Sequence, residues 1–184
     1  MGEKPLVTVH GKPMLSYVVR AFEQARCEVI VVLTFRTPHT LNWCHAQGLS
    51  TITTKGIGYI EDLVEAIDEV EEKNPFFTSV SDLPCIRSST IQYILSLYRN
   101  SKKPACSTWI PVQLVKESGI SIGYTEHFGK VEVCPTGVNI LLGSQIHEEQ
   151  EECRLVLDVP DLIYHVNTRS DLETVNRLQQ KGLS

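Results

Sequence analysis

The chain has 184 residues, 42% hydrophobic and 21% charged, with a net charge of −5. That length allows one domain with a sizeable core, and the acidic balance offers no basic stripe for a nucleic-acid backbone. No apolar run reaches the roughly 18 residues of a membrane span and no signal-peptide pattern opens the chain. Six scattered cysteines without a Cys-x-x-Cys pair argue against a zinc site or disulfide framework and for a reducing, cytoplasmic setting.

The sequence opens Met1-Gly2-Glu3-Lys4-Pro5-Leu6, which looks like the far end of a glycine-rich turn whose backbone N–H groups hold phosphates. The strand that normally precedes such a turn is expected ahead of Met1. After a turn at His10-Gly11-Lys12-Pro13, Met14, Leu15, Val18, Val19 and Phe22 recur at helical spacing over residues 14–25. Residues 28–34 (EVIVVLT) are β-branched and predict a buried central strand. A weak helix over 37–47, stopped at Gly48, leads to a short strand over 49–53 and then to Lys55-Gly56-Ile57-Gly58.

The clearest helix follows, with Ile60, Leu63, Val64, Ile67 and Val70 on one face. A strand over 76–80 ends at Ser81-Asp82-Leu83-Pro84, and Ser88 or Ser89 is placed to cap a helix carrying Ile91, Ile94, Leu95 and Tyr98. Residues 105–142 predict strands, with a hairpin around Gly129 and a strand over 138–142. The acidic run Glu148, Glu149, Glu151, Glu152 predicts a solvated helix end or loop. Short strands over 155–157 and 163–166 precede a last helix opened by Thr168-Arg169-Ser170-Asp171, with Leu172, Val175 and Leu178 inward and Gly182 past its end. Alternating strands and helices without an internal repeat predict a single α/β domain over 1–184 with a mostly parallel sheet.

Ligands of open α/β sheets bind beyond the carboxyl ends of the strands. Four segments predicted at such ends offer chemistry, each with a bland alternative. Gly56 and Gly58 permit close backbone approach to a base or phosphate, or simply turn a strand into a helix. Asp82 suits Mg²⁺, a hard cation that takes one or two carboxylates plus water and phosphate oxygens, or it closes a turn. Asn167 is a second oxygen ligand or a helix cap. In Pro135-Thr136-Gly137-Val138-Asn139, ahead of a strand, Gly137 allows close approach and Asn139 offers a paired donor and acceptor. Lys4 is a phosphate contact or solvated surface. The six histidines show no zinc spacing and no Gly-x-Ser-x-Gly elbow occurs.

In this order the pieces resemble the MobA-like nucleotidyltransferases, above all the archaeal GTP:adenosylcobinamide-phosphate guanylyltransferases. The resemblance rests on Glu3-Lys4-Pro5-Leu6, Gly11-Lys12-Pro13, Gly56-Ile57-Gly58-Tyr59-Ile60-Glu61-Asp62-Leu63, Ser81-Asp82-Leu83, Pro135-Thr136-Gly137-Val138-Asn139 and Asp161-Leu162-Ile163-Tyr164-His165-Val166-Asn167-Thr168. It implies a Rossmann-like three-layer nucleotidyltransferase fold and transfer of GMP from GTP onto adenosylcobinamide phosphate. By the same resemblance Lys4 and Asp82 are catalytic, with Lys4 neutralising the triphosphate, and Asp82 with Asn167 holds Mg²⁺. Gly56, Gly58 and Tyr59 line the guanine or ribose side, and Gly137 with Asn139 the acceptor or nucleotide side.

Two departures stand out against the family pattern. His165 replaces an asparagine, keeping polarity but losing an amide contact. The first strand and its Gly-Gly-x-Gly-x-Arg loop are missing from the sequence, and loss of a central strand exposes ladder groups and apolar faces. A non-catalytic nucleotide- or corrinoid-binding remnant, or an enzyme acting on another acceptor such as molybdopterin, is the alternative expectation. The sequence leaves a homodimer open.

Overall fold

The computed structural model describes residues 2–181. A 3-10 turn at Lys4–Leu6 leads into two short antiparallel strands, β1 (Thr8–Val9) and β2 (Lys12–Pro13), and then α1 (Met14–Gln24). β3 (Ile30–Thr34), α2 (Pro38–Ala46), β4 (Ser50–Thr54) and α3 (Tyr59–Val70) follow. Next come β5 (Pro75–Ser79), α4 (Ser88–Ser101), β6 (Ala105–Pro111) and α5 (Val112–Ser118). β7 (Glu126–Phe128), β8 (Val131–Leu142), β9 (Glu152–Val156) and α6 (Arg169–Lys181) complete the order.

The main sheet has the order β5-β8-β6-β9, with β7 added on β8. β8 runs antiparallel to β5, β6 and β7, while β6 and β9 are parallel. Hence β5, β6 and β9 point one way and β8 alone runs against them. β3 and β4 form a separate parallel pair. This is the α/β architecture, mixed but mostly parallel in strand direction, that the alternating pattern predicts.

α1 joins the two sheet pieces because its apolar stripe is wide enough to serve both. Val18 and Phe22 enter the large core, where Phe22 meets Phe77 of β5 edge-on at 5.5 Å. Leu15 and Val19, on the adjoining part of the stripe, pack with Val31, Leu33 and Cys44 in a smaller cluster. Among the described residues β3 and β5 each pair along one edge only.

Several sequence expectations are corrected. The 28–34 run is half-buried rather than buried on both faces, because Val31 and Leu33 pack inward while Ile30 and Val32 have no layer over them. In α3 the buried residues are Ala66 and Ile67, whereas Ile60 and Val70 are exposed. Ser88 is the first residue of α4 rather than its cap; Arg87 holds the capping position with no side-chain bond to the helix. Residues 112–118 are helical, where strands were expected.

Residues 135–139 lie within β8 rather than ahead of a strand. Glu152 begins β9, so the acidic run ends in a strand. Residues 163–166 make no strand: Ile163 N–H bonds the Pro160 carbonyl (3.1 Å), His165 N–H bonds the Ile163 carbonyl (2.9 Å), and Val166 N–H alone crosses over, to the Asp82 carbonyl (3.0 Å). In α6, Val175 is buried but Leu178 is partly exposed, and Gly182 lies outside the described residues. No helix among the described residues is long and apolar enough to cross a membrane.

Candidate active site

Three distant segments meet beyond the carboxyl end of β5. Lys4 comes from the first 3-10 turn, Asp82 from the loop after β5, and His165 and Asn167 from the irregular stretch between β9 and α6. The Lys4 ammonium ion-pairs with Asp82 Oδ2 and donates to Asn167 Oδ1 at 2.8 Å. On the other side, Asp82 Oδ1 lies 3.3 Å from Nδ1 of His165. The Asp82 and His165 side chains are mostly buried, and that of Lys4 is half-exposed. Burial alone would raise the Asp82 carboxyl, but the hydrogen bonds and positive potential from His165 and Lys4 outweigh it and hold its pKa below the ordinary carboxylate value.

Each member is fixed from behind. Val80, two residues before Asp82, donates its N–H to the Gly137 carbonyl at 3.1 Å. Gly137 has φ +69°, and a β-carbon there would come within 2.7 Å of the Val80 side chain. Asn167 is held by Asp171, a fully buried carboxylate that accepts from the N–H groups of Asn167 (3.0 Å) and Thr168 (2.7 Å) and from Ser121 through both its N–H (2.8 Å) and hydroxyl (2.7 Å). Thr168 Oγ1 accepts in return from the Asp171 N–H (3.1 Å), which makes a capping box at the start of α6. Four donors outweigh burial, so the pKa of Asp171 is also lowered.

Glu3 anchors the neighbouring turn by accepting from the N–H groups of His39 (2.9 Å) and Thr40 (2.7 Å) in the first turn of α2, where a carboxylate is favoured by the unsatisfied N–H groups. Sequence reasoning missed the positioning roles of Glu3 and Asp171. The Thr-x-x-Asp spacing was a legible cap signal for Asp171, but nothing in the sequence announces its bonds to Ser121.

The other candidates fall elsewhere. Gly56 (φ +69°) lies against Thr34 and Phe35 at the end of β3, and its N–H and that of Ile57 are held by Asp62 Oδ1 at 2.8 and 3.3 Å. Gly58 precedes α3, and Tyr59 is exposed. No hydrogen bond or ion pair among the described residues joins this loop to the Lys4–Asp82 cluster. Asn139 sits in mid-strand opposite Thr78 and Ser107. Gly137 therefore acts on the site through Val80.

Two hard oxygens, Asp82 Oδ2 and Asn167 Oδ1, already converge on one cation, the Lys4 ammonium. That donor set fits Mg²⁺, which completes its shell with water and phosphate oxygens rather than an all-protein cage. No group of three or more His, Cys, Asp or Glu side chains suited to a metal occurs among the described residues.

A MobA-like NTP transferase domain matches residues 1–181, and the chain belongs to that family. It is a nucleotidyltransferase. The adenosylcobinamide-phosphate guanylyltransferase of Methanocaldococcus jannaschii is 30% identical over 190 residues, covering 97% of this chain and 90% of that protein. Among solved structures, a hypothetical transferase from Thermus thermophilus superposes with a TM-score of 0.72 at 15% identity, covering 94% of this chain and 91% of that one. CMP:2-keto-3-deoxy-manno-octonic acid synthetase complexed with CTP gives 0.70 at 18% identity, covering 98% and 92%. These structures share the fold.

Proposed function

We propose that the chain is a guanylyltransferase that moves GMP from GTP onto adenosylcobinamide phosphate. The observation that carries this reading is the convergence of Asp82 and Asn167 on the Lys4 cation. The likeness to the Methanocaldococcus jannaschii enzyme across nearly the whole chain supports the choice of substrates.

A phosphate oxygen of the acceptor bonds to the α-phosphorus of GTP as the bond to the bridging oxygen breaks, and pyrophosphate leaves with that electron pair. No covalent enzyme intermediate is needed, so the protein contributes position and charge. Lys4 binds the triphosphate and neutralises it. Asp82 and Asn167 hold Mg²⁺, which supplies further positive charge to the phosphates when bound. His165 and the Val166 N–H keep the Asp82 carboxylate and backbone in place, so little reorganisation accompanies phosphate binding.

Incubating the purified chain with GTP, MgCl₂ and adenosylcobinamide phosphate should release pyrophosphate and yield adenosylcobinamide-GDP by mass spectrometry. Asp82→Asn should lower the rate by about a hundredfold or more while leaving the thermal unfolding transition cooperative. Tight GTP binding without turnover would favour the non-catalytic alternative, and turnover with molybdopterin alone would reassign the acceptor.

A further inference from the structure

Cys106 and Cys153 stand opposite each other across two parallel strands. Cys106 is the second residue of β6 and Cys153 the second of β9, and they are α-carbon partners in the ladder. Partners in a parallel ladder project to the same side of the sheet, and both side chains pack on the large core. Neighbouring strands lie about 4.8 Å apart, inside the roughly 4.4–6.8 Å that separates the α-carbons of a disulfide. The Cys106 thiol hydrogen-bonds the Cys153 sulfur, so the two side chains already meet. Among the described residues no other two cysteines are partners in a ladder.

The surroundings of the two thiols differ. β9 ends the strand order of the main sheet, and Cys153 is partly exposed there, whereas Cys106 is 1% exposed. Burial first, then the hydrogen bond and charge of Cys153 and the charge of Glu152, push the Cys106 thiol up. Cys106 therefore stays protonated behind the strand, and Cys153 is the sulfur that meets an oxidant. Once Cys153 is oxidised to a neutral group, its opposing charge on Cys106 is gone. β5, β6 and β9 point one way. The thiols lie near the amino ends of β6 and β9, whereas the Lys4–Asp82 cluster lies beyond the carboxyl end of β5.

We propose that Cys106 and Cys153 are a modification site that a hydroperoxide converts to a reversible disulfide, clasping β9 to β6. The Cys153 thiolate attacks one peroxide oxygen and the O–O bond breaks. Cys153 becomes a sulfenic acid, and the other oxygen leaves with a proton as water or an alcohol. The Cys106 thiol then attacks the Cys153 sulfur. The S–S bond forms, the S–O bond breaks, and hydroxide leaves with the Cys106 proton as water. Two thiols lose two electrons, which reduce one peroxide. An external dithiol reverses the bond, so in a reducing setting it is transient. Among the described residues β9 pairs along one edge only. The clasp holds that strand and leaves the site at the other end of the sheet as it is.

Treating the reduced chain with hydrogen peroxide, alkylating the remaining thiols and fragmenting the tryptic peptides by mass spectrometry tests the proposal. The product should join Cys106 to Cys153 with the loss of two hydrogens, and dithiothreitol should reverse it. Cys106→Ala should stop at a Cys153 sulfenic acid that dimedone traps. In Cys153→Ser the Cys106 thiol should stay unoxidised at the same dose. Mapping the bond in wild type needs no substitution, so a poorly folded variant leaves the test intact. In the oxidised wild type the thermal midpoint should rise by about 5 °C or more, and exchange of the β9 amides should slow by about tenfold. A bond from Cys153 to any other cysteine, passage of Cys153 to sulfinic acid without a bond, or oxidation of Cys106 in Cys153→Ser would overturn the pairing. A midpoint that does not rise would overturn the clasp.

Discussion

Gly137 and Asp82 show how a single residue acts on this site through its neighbours. Gly137 looks from the sequence like a ligand-facing glycine, yet in the structure its missing side chain makes room for Val80, and its carbonyl receives the Val80 N–H. Gly137→Ala must relieve both a left-handed φ and a 2.7 Å approach to Val80, a combined strain on the order of 2 kcal/mol. Urea unfolding should show that loss, and nucleotide affinity should fall with it because Asp82 is two residues on. An unchanged midpoint would mean that Val80 moves aside freely. Lys4 and Asp82, by contrast, stand side by side in the structure; their charge type and position beyond a strand are legible in a sequence, while the pairing itself is not.

At the level of elements, the start of α6 is the part of the molecule most dependent on one side chain. The Asp171 carboxylate receives four donors from two segments. Replacing it with Asn turns one acceptor into a donor facing donors, which should cost about 1–3 kcal/mol at neutral pH. A carboxyl whose pKa is lower in the folded chain gives stability that is complete above its unfolded value of about 4 and is lost as pH falls through the folded value. The difference in unfolding free energy between wild type and Asp171→Asn should therefore be flat from about pH 7 to 5 and shrink below about pH 4. Chemical denaturation across that range checks it, and a constant difference would show that the carboxylate form is not what the fold uses. α3 teaches the complementary lesson: its five-residue apolar stripe predicted the helix correctly but overstated its burial, because only Ala66 and Ile67 are fully buried while Leu63 and Val64 are covered in part.

Across the whole molecule, α1 bridges two sheet pieces of unequal support. Among the described residues, the β3–β4 side rests on a cluster of five buried residues, whereas the main sheet shares a core of 23. Local opening follows buried contact, so native-state hydrogen exchange should show the amides of β3 and β4 opening at lower free energy than those of β6 and β8. Equal protection would mean that α1 couples the two pieces into one cooperative unit. The exposed Ile30 and Val32 on β3 are the surface expression of the same imbalance.

By itself the sequence determined the alternation of elements, the helix and strand types over most of the chain, and where charged and amide side chains stand beyond strand ends. Periodicity and charge are local properties, and they are written residue by residue. Tertiary structure alone decided that 163–166 bends instead of pairing: a bond from Val166 N–H to the Asp82 carbonyl accompanies the placing of His165 against the Asp82 carboxylate and of Asn167 against the Lys4 ammonium. It likewise decided that Gly137 and Asp171 work from behind the site. Those outcomes depend on contacts between segments some 50 to 160 residues apart along the chain, and such contacts exist only once the layers have packed.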